Sequence, residues 1–74
     1  MLSAMPRPEK HSLTLRGHRT SVSLESAFWA EFRRIASQRN QTLNQLATQI
    51  DAARGDTGLA SAIRVFVLHA VKPL

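Results

Sequence analysis

Arginine dominates the residues that could do chemistry. Eight Arg and two Lys stand against five carboxylates, a formal net charge of +5 in 74 residues and a pI near 11.5. A guanidinium binds planar acceptors bidentately, phosphate and the guanine edge among them, so the bias suits a polyanionic partner, nucleic acid first. Solubility alone would also favour net charge. Position decides more than the total. Residues 1–24 hold Arg7, Lys10, Arg16 and Arg19 against Glu9, residues 25–58 are charge-neutral, and residues 59–74 add Arg64 and Lys72. His11 and His18 add charge to the first segment below about pH 6.5. His11, His18 and His69 lack metal-ligand spacing, and with no cysteine in the chain neither a metal nor a disulfide is expected. Nothing assembles a nucleophile, a base and oxyanion donors, so the chain reads as no enzyme and needs no cofactor.

The elements that must carry these residues follow from periodicity. Residues 1–10, with Pro6 and Pro8 around Arg7, read as a flexible basic arm ahead of one domain over 11–74. Leu13 and Leu15 then alternate with Ser12, Thr14 and Arg16. Beyond Gly17-His18, Thr20, Val22 and Leu24 share one face, while Arg19, Ser21 and Ser23 share the other, which predicts a strand over about 19–24. The two segments differ in phase. A type II′ turn at Gly17-His18 reconciles them, pairing Arg16 with Arg19 and Leu13 with Val22, although like charges then face each other.

From Glu25 the period becomes helical. Phe28, Trp29, Phe32, Ile35 and Ala36 form one stripe of a helix over about 26–39, with Glu25 and Ser26 as an acidic first turn or cap. Phe28 and Trp29 lie on that stripe, away from the basic residues, and read as core or dimer contacts, not base-stacking platforms. Thr42-Leu43-Asn44-Gln45 is a capping box opening a second helix over about 42–54, whose apolar face is Leu43, Leu46, Ala47, Ile50 and Ala53. Gly55 ends it. Asp51 and Arg54, three apart, make a surface pair. A third helix over about 59–71 stops before Pro73 and is apolar nearly all round, through Ile63, Val65, Phe66, Val67 and Leu68. Such a helix needs cover on more than one side, and in so short a chain a second copy supplies it. No run approaches the roughly 20 apolar residues of a membrane span, and the start lacks a signal-peptide core, so a cytoplasmic protein is expected.

A strand running directly into a helix, a short polar loop and a second helix resembles the ribbon-helix-helix family of the Arc/MetJ-like superfamily, and within it a branch of bacterial ribbon-helix-helix domain proteins. The residues that carry the likeness are Gly17-His18-Arg19-Thr20-Ser21-Val22-Ser23-Leu24-Glu25 and Ala27-Phe28-Trp29, then Ile50-Asp51-Ala52-Ala53-Arg54 and Leu59-Ala60-Ser61-Ala62-Ile63-Arg64-Val65-Phe66-Val67-Leu68, within about residues 11–71. The resemblance implies a mainly α fold behind an N-terminal strand or short hairpin, in an intertwined homodimer with a third C-terminal helix. It also implies that the N-terminal strands of the two copies pair antiparallel into a ribbon that enters the DNA major groove, which is about 12 Å wide.

Carried over by position, the base-contacting residues are Arg19, Ser21 and Ser23. Phosphate contacts are Thr42, Leu43 and Asn44 at the second helix's N-terminus, with Arg16 and Lys10 in general electrostatic support. Val22, Leu24, Trp29, Phe32, Leu46, Ile50, Ile63 and Phe66 form the core and dimer interface. The implied function is a bacterial, nucleoid-associated transcriptional regulator or repressor acting on double-stranded DNA, with adjacent dimers binding cooperatively. Two alternatives remain: an antitoxin that binds a toxin partner and autoregulates its operon, and a protein-interaction dimer that does not bind DNA. One geometric tension is visible already: if residues 12–16 pair with 19–23, a dimer presents up to four strands, too broad to enter the groove in the family's manner.

Overall fold

The structure, a computed structural model, describes residues 7–72. In chain order it comprises β1 (Glu9–Leu15), β2 (His18–Leu24), α1 (Ser26–Gln38), α2 (Leu43–Ala53) and α3 (Leu59–Val71). The helices fall within a residue of the bounds their periodicity predicts. The arm expected over 1–10 gives way to strand at Glu9; its residues 1–6 lie outside the described residues.

The two strands form the antiparallel hairpin, with its turn one residue earlier than expected. Leu15 pairs with His18, Leu13 with Thr20, His11 with Val22 and Glu9 with Leu24. The loop is therefore Arg16-Gly17, and both residues have positive φ, 52° and 82°, as a type I′ turn requires. This register removes the unfavourable Arg16–Arg19 pair: Arg16 moves into the turn and Thr14 faces Arg19. Relative to the expected pairing every partner shifts by two residues, so each side chain keeps its face. Leu13, Val22 and Leu24 are buried on the inner face, and His11, also on that face, stacks on Trp29 of α1 with ring centroids 3.9 Å apart.

Behind the hairpin the helices close a core of Leu13, Val22, Leu24, Phe32, Ile35, Ala36, Leu46, Ala47, Ile50, Ile63 and Val67. Six of the residues expected at the core or dimer interface, Val22, Leu24, Phe32, Leu46, Ile50 and Ile63, are thus buried within a single chain. Trp29 and Phe66 are half-buried against them. Among the described residues only α3 retains large apolar side chains in solvent, Val65, Leu68 and Val71, with Leu68 54% exposed.

Local chemistry sets the helix ends. The α1 helix closes in a Schellman motif: Asn40 takes a positive φ of 56°, Gln41 N–H donates to the Ala36 carbonyl at 2.9 Å, and Asn40 N–H to Ser37. Gly55, with φ 60°, follows the end of α2. Glu25 is the N-cap residue of α1, but its carboxylate makes no cap bond. It turns to α3 instead, accepting from Arg64 Nε at 2.9 Å. Among the described residues no helix is long and apolar enough to cross a membrane.

Candidate nucleic-acid interface

The hairpin has one wholly polar side. Alternation on two paired strands projects Lys10, Ser12 and Thr14 of β1 and Arg19, Ser21 and Ser23 of β2 from the face opposite the helices, all exposed. Lys10 stands across from Ser23, Ser12 from Ser21 and Thr14 from Arg19. The face bears two cations, four hydroxyls and no carboxylate. Among the described residues Arg19 makes no hydrogen bond or ion pair, so its guanidinium is available to a ligand.

The edges of the hairpin differ. In a two-residue hairpin the pair flanking the loop exchanges both backbone bonds, so the backbone groups of Lys10, Ser12 and Thr14 point away from β2, and those of Arg19, Ser21 and Ser23 point away from β1. The N-terminus of α2 meets the β1 edge: Thr14 N–H donates to Asn44 Oδ1 at 2.9 Å. On the other side, Arg64 donates to the Ser23 carbonyl at 3.1 Å while gripping both carboxylate oxygens of Glu25. That bond holds the Glu25 carboxyl below its ordinary range.

The start of α2 is a complete capping box. Thr42 Oγ1 accepts from Gln45 N–H at 3.0 Å, and Gln45 Oε1 accepts from Thr42 N–H at 2.8 Å. The N–H groups of Leu43 and Asn44 lack intrahelical acceptors and point out of the positive end of the helix. The Leu43 side chain packs against the core. Beside this terminus a polar cleft is lined by Thr14, Arg16, Asn40, Gln41, Asn44 and Gln45 among others. The fold thus brings Arg16 to α2, whereas Lys10 sits at the far end of β1, four residues from Thr14.

Sequence reasoning passed over four contributors. Ser12 and Thr14 alternate with Leu13 and Leu15, a signal that put them on the polar face without assigning them a role. The Asn44 side chain, here tied to β1, and Arg64, which links α3 to the β2–α1 junction, act across 30 and 39 residues of sequence, where no local pattern reaches. Two further ion pairs are local: Arg34 with Glu31 at 2.7 Å, which holds the Glu31 carboxyl low, and Arg54 with Asp51 at 2.6 Å.

A family model described as a ribbon-helix-helix domain matches residues 8–71. Proteins with this domain are DNA-binding regulators that act as dimers. No curated protein and no solved structure matches the chain.

Proposed function

The chain belongs to the ribbon-helix-helix domain family, and from that premise we propose that it is a sequence-specific DNA-binding transcriptional regulator, acting as a repressor when it occupies an operator. The observation that carries this reading is the polar hairpin face, with Arg19 unpaired among hydroxyls and no carboxylate to repel phosphate. Arg19, Ser21 and Ser23 contact base edges in the major groove. Arg19 takes guanine O6 and N7 as a bidentate donor, and the serines donate or accept. The Leu43 and Asn44 N–H groups, held by the Thr42 cap, and Arg16 beside them bind phosphate and fix register, while Lys10 adds attraction to the backbone.

The regulator is a homodimer. Val65, Leu68 and Val71 form an apolar stripe that one chain leaves in water, and a second copy covers it. Selection of binding sites from a random double-stranded DNA pool by the purified protein tests the proposal. Recovery of a defined motif, bound more weakly as salt rises, supports it. Equal binding of all sequences, or none, refutes it in favour of a dimer that engages protein partners.

A further inference from the structure

We propose that Arg64 is a positioning residue for base reading: from α3 it fixes the end of β2, and with it the hydroxyl of Ser23, without touching DNA itself. The inference rests on the DNA-binding reading, in which Arg64 has no other part.

The hairpin sits on the helices through Leu13, Val22 and Leu24, and apolar packing has no preferred direction. Hydrogen bonds supply the direction. Among the described residues, side chains of the helices bond the hairpin backbone at two points. Asn44 of α2 accepts from the Thr14 N–H at 2.9 Å, near the turn and on the outer edge of β1. Arg64 of α3 donates to the Ser23 carbonyl at 3.1 Å, at the opposite end and on the outer edge of β2. Thr14 pairs with Arg19 and Ser23 with Lys10, so the two bonds lie on a diagonal of the sheet. Two fixed points on a diagonal, with the packed inner face beneath them, set the tilt of the polar face against the helices.

The Arg64 end of that diagonal is itself fixed. Its Nε and Nη2 donate to the two carboxylate oxygens of Glu25 at 2.9 and 3.3 Å, and its guanidinium carbon lies 6.0 Å from the centre of the Phe28 ring. Glu25 and Phe28 belong to the start of α1, so β2, α1 and α3 meet at one guanidinium. Glu25 is placed to cap α1 but makes no cap bond, and its carboxylate is given to Arg64 instead. A planar fork can hold a carboxylate and a carbonyl together, as a single ammonium cannot.

Serine makes base reading sensitive to this junction. Its hydroxyl stands one carbon from the backbone, so Ser23 cannot follow a base edge when the strand beneath it shifts. The long side chain of Arg19 can. An O–H···O bond needs about 2.5–3.0 Å between heavy atoms and weakens steeply away from linearity. Loss of Arg64 therefore affects Ser23 before Arg19. The charge of Arg64 is already matched by Glu25, which leaves it little attraction for phosphate.

The test selects binding sites from a random double-stranded DNA pool with the wild-type protein, Ser23→Ala, Arg64→Met and Arg64→Lys, at fixed salt and at a temperature where circular dichroism shows the fold intact. Ser23→Ala identifies the base position that Ser23 reads. Arg64→Met is expected to relax preference at that same position by about 2- to 12-fold, the worth of one hydrogen bond, while guanine is kept at the position set by Arg19. The salt dependence of its affinity should match that of the wild type. If Arg64→Met does not fold, Arg64→Lys decides: its ammonium keeps a charge beside Glu25 but lacks the fork, so the same position should relax. Selection of the unchanged wild-type motif by the deciding variant, with any loss of affinity uniform across sequences, would make Arg64 a stabilising contact only and overturn the proposal. A salt slope smaller by about one in that variant would make Arg64 a phosphate contact, and no altered position in Ser23→Ala would leave no reader to position. Either result overturns the proposal with the DNA-binding reading intact. If the wild-type protein selects no motif, that reading fails and the proposal with it.

Discussion

Replacing Arg19 separates base reading from simple attraction to DNA. Arg19 lies on the outer face of β2 opposite Thr14, is exposed, and has no hydrogen-bond or ion-pair partner among the described residues. Arg19→Ala should therefore change folding stability by no more than about 0.5 kcal/mol. A bidentate guanine contact contributes about 1–3 kcal/mol of discrimination, so affinity for the selected motif should fall about 5- to 140-fold. Affinity for unrelated DNA should barely move, because no phosphate contact is lost. The salt dependence supplies an independent readout. Each neutralised phosphate adds about 0.9 to the slope of log K against log salt, and Arg19→Ala should leave that slope unchanged. Arg19→Lys keeps the charge but loses the planar fork, so it should resemble the alanine variant on the motif. Fluorescence anisotropy titrations on matched and scrambled duplexes, repeated at several salt concentrations, measure all three quantities. Equal losses on both duplexes, with the slope smaller by about one, would move Arg19 from the bases to the backbone and refute the assignment.

Other outcomes follow from the rest of the structure. Thr42→Ala removes one bond of the capping box and should lower stability by about 1 kcal/mol, a fall in melting temperature of about 4–8 °C in thermal denaturation, while Thr42→Ser should restore most of it. The Arg64 and Arg34 bonds hold the Glu25 and Glu31 carboxyls below their ordinary value of 4.5. Their contribution to stability is full above that pH and is lost as pH falls through the lowered folded values. An acid titration of denaturant midpoints should show this loss, and Arg64→Met should abolish the Glu25 part of it. Leu68→Lys puts a charge on the uncovered α3 stripe and should weaken self-association at least about tenfold in sedimentation equilibrium, with the helical signal unchanged because Leu68 is exposed in the single chain.

The parts of the fold that were legible in the sequence are those set by neighbours along the chain. The capping box needs only Thr42 and Gln45, three residues apart, and both of its bonds are present. The division of the hairpin into an apolar and a polar face needs only alternation, which is why it survived an error in the turn. That turn was ambiguous because Gly17 suits either of two loops. The observed register, from Leu15 and His18, buries Leu13, Val22 and Leu24 in the core that also holds Phe32, and it requires a positive φ from Arg16, a residue type that gives no sign of one. The start of β1 was hidden for a different reason, since Glu9 and Lys10 are polar residues with no apolar partner to reveal alternation. Local sequence assigns Glu25 to the first turn of α1 because its partner, Arg64, is 39 residues away.

The distribution of ion pairs explains how a modest net charge becomes a directed field. Glu25, Glu31 and Asp51 are each matched to an arginine on or just past a helix, Arg64, Arg34 and Arg54, so three of the five carboxylates neutralise cations behind the hairpin. A fourth, Glu9, lies at the end of the inner face, 3.9 Å from His11. Lys10, Arg16 and Arg19 on the hairpin have no ion-pair partner among the described residues, and no acidic side chain shares their face. These pairs leave the hairpin cations Lys10, Arg16 and Arg19 uncompensated on the surface proposed to approach DNA, with Arg33, Arg39 and Lys72 also unpaired elsewhere among the described residues. Long-range attraction then orients the hairpin toward the backbone before any base is contacted, an effect that weakens once the Debye length falls below about 10 Å near 0.1 M salt. Reversing one helix pair to leave a carboxylate unmatched, as Arg34→Glu does, should slow association with DNA at low salt without altering the selected motif, because the field changes while the reading face does not.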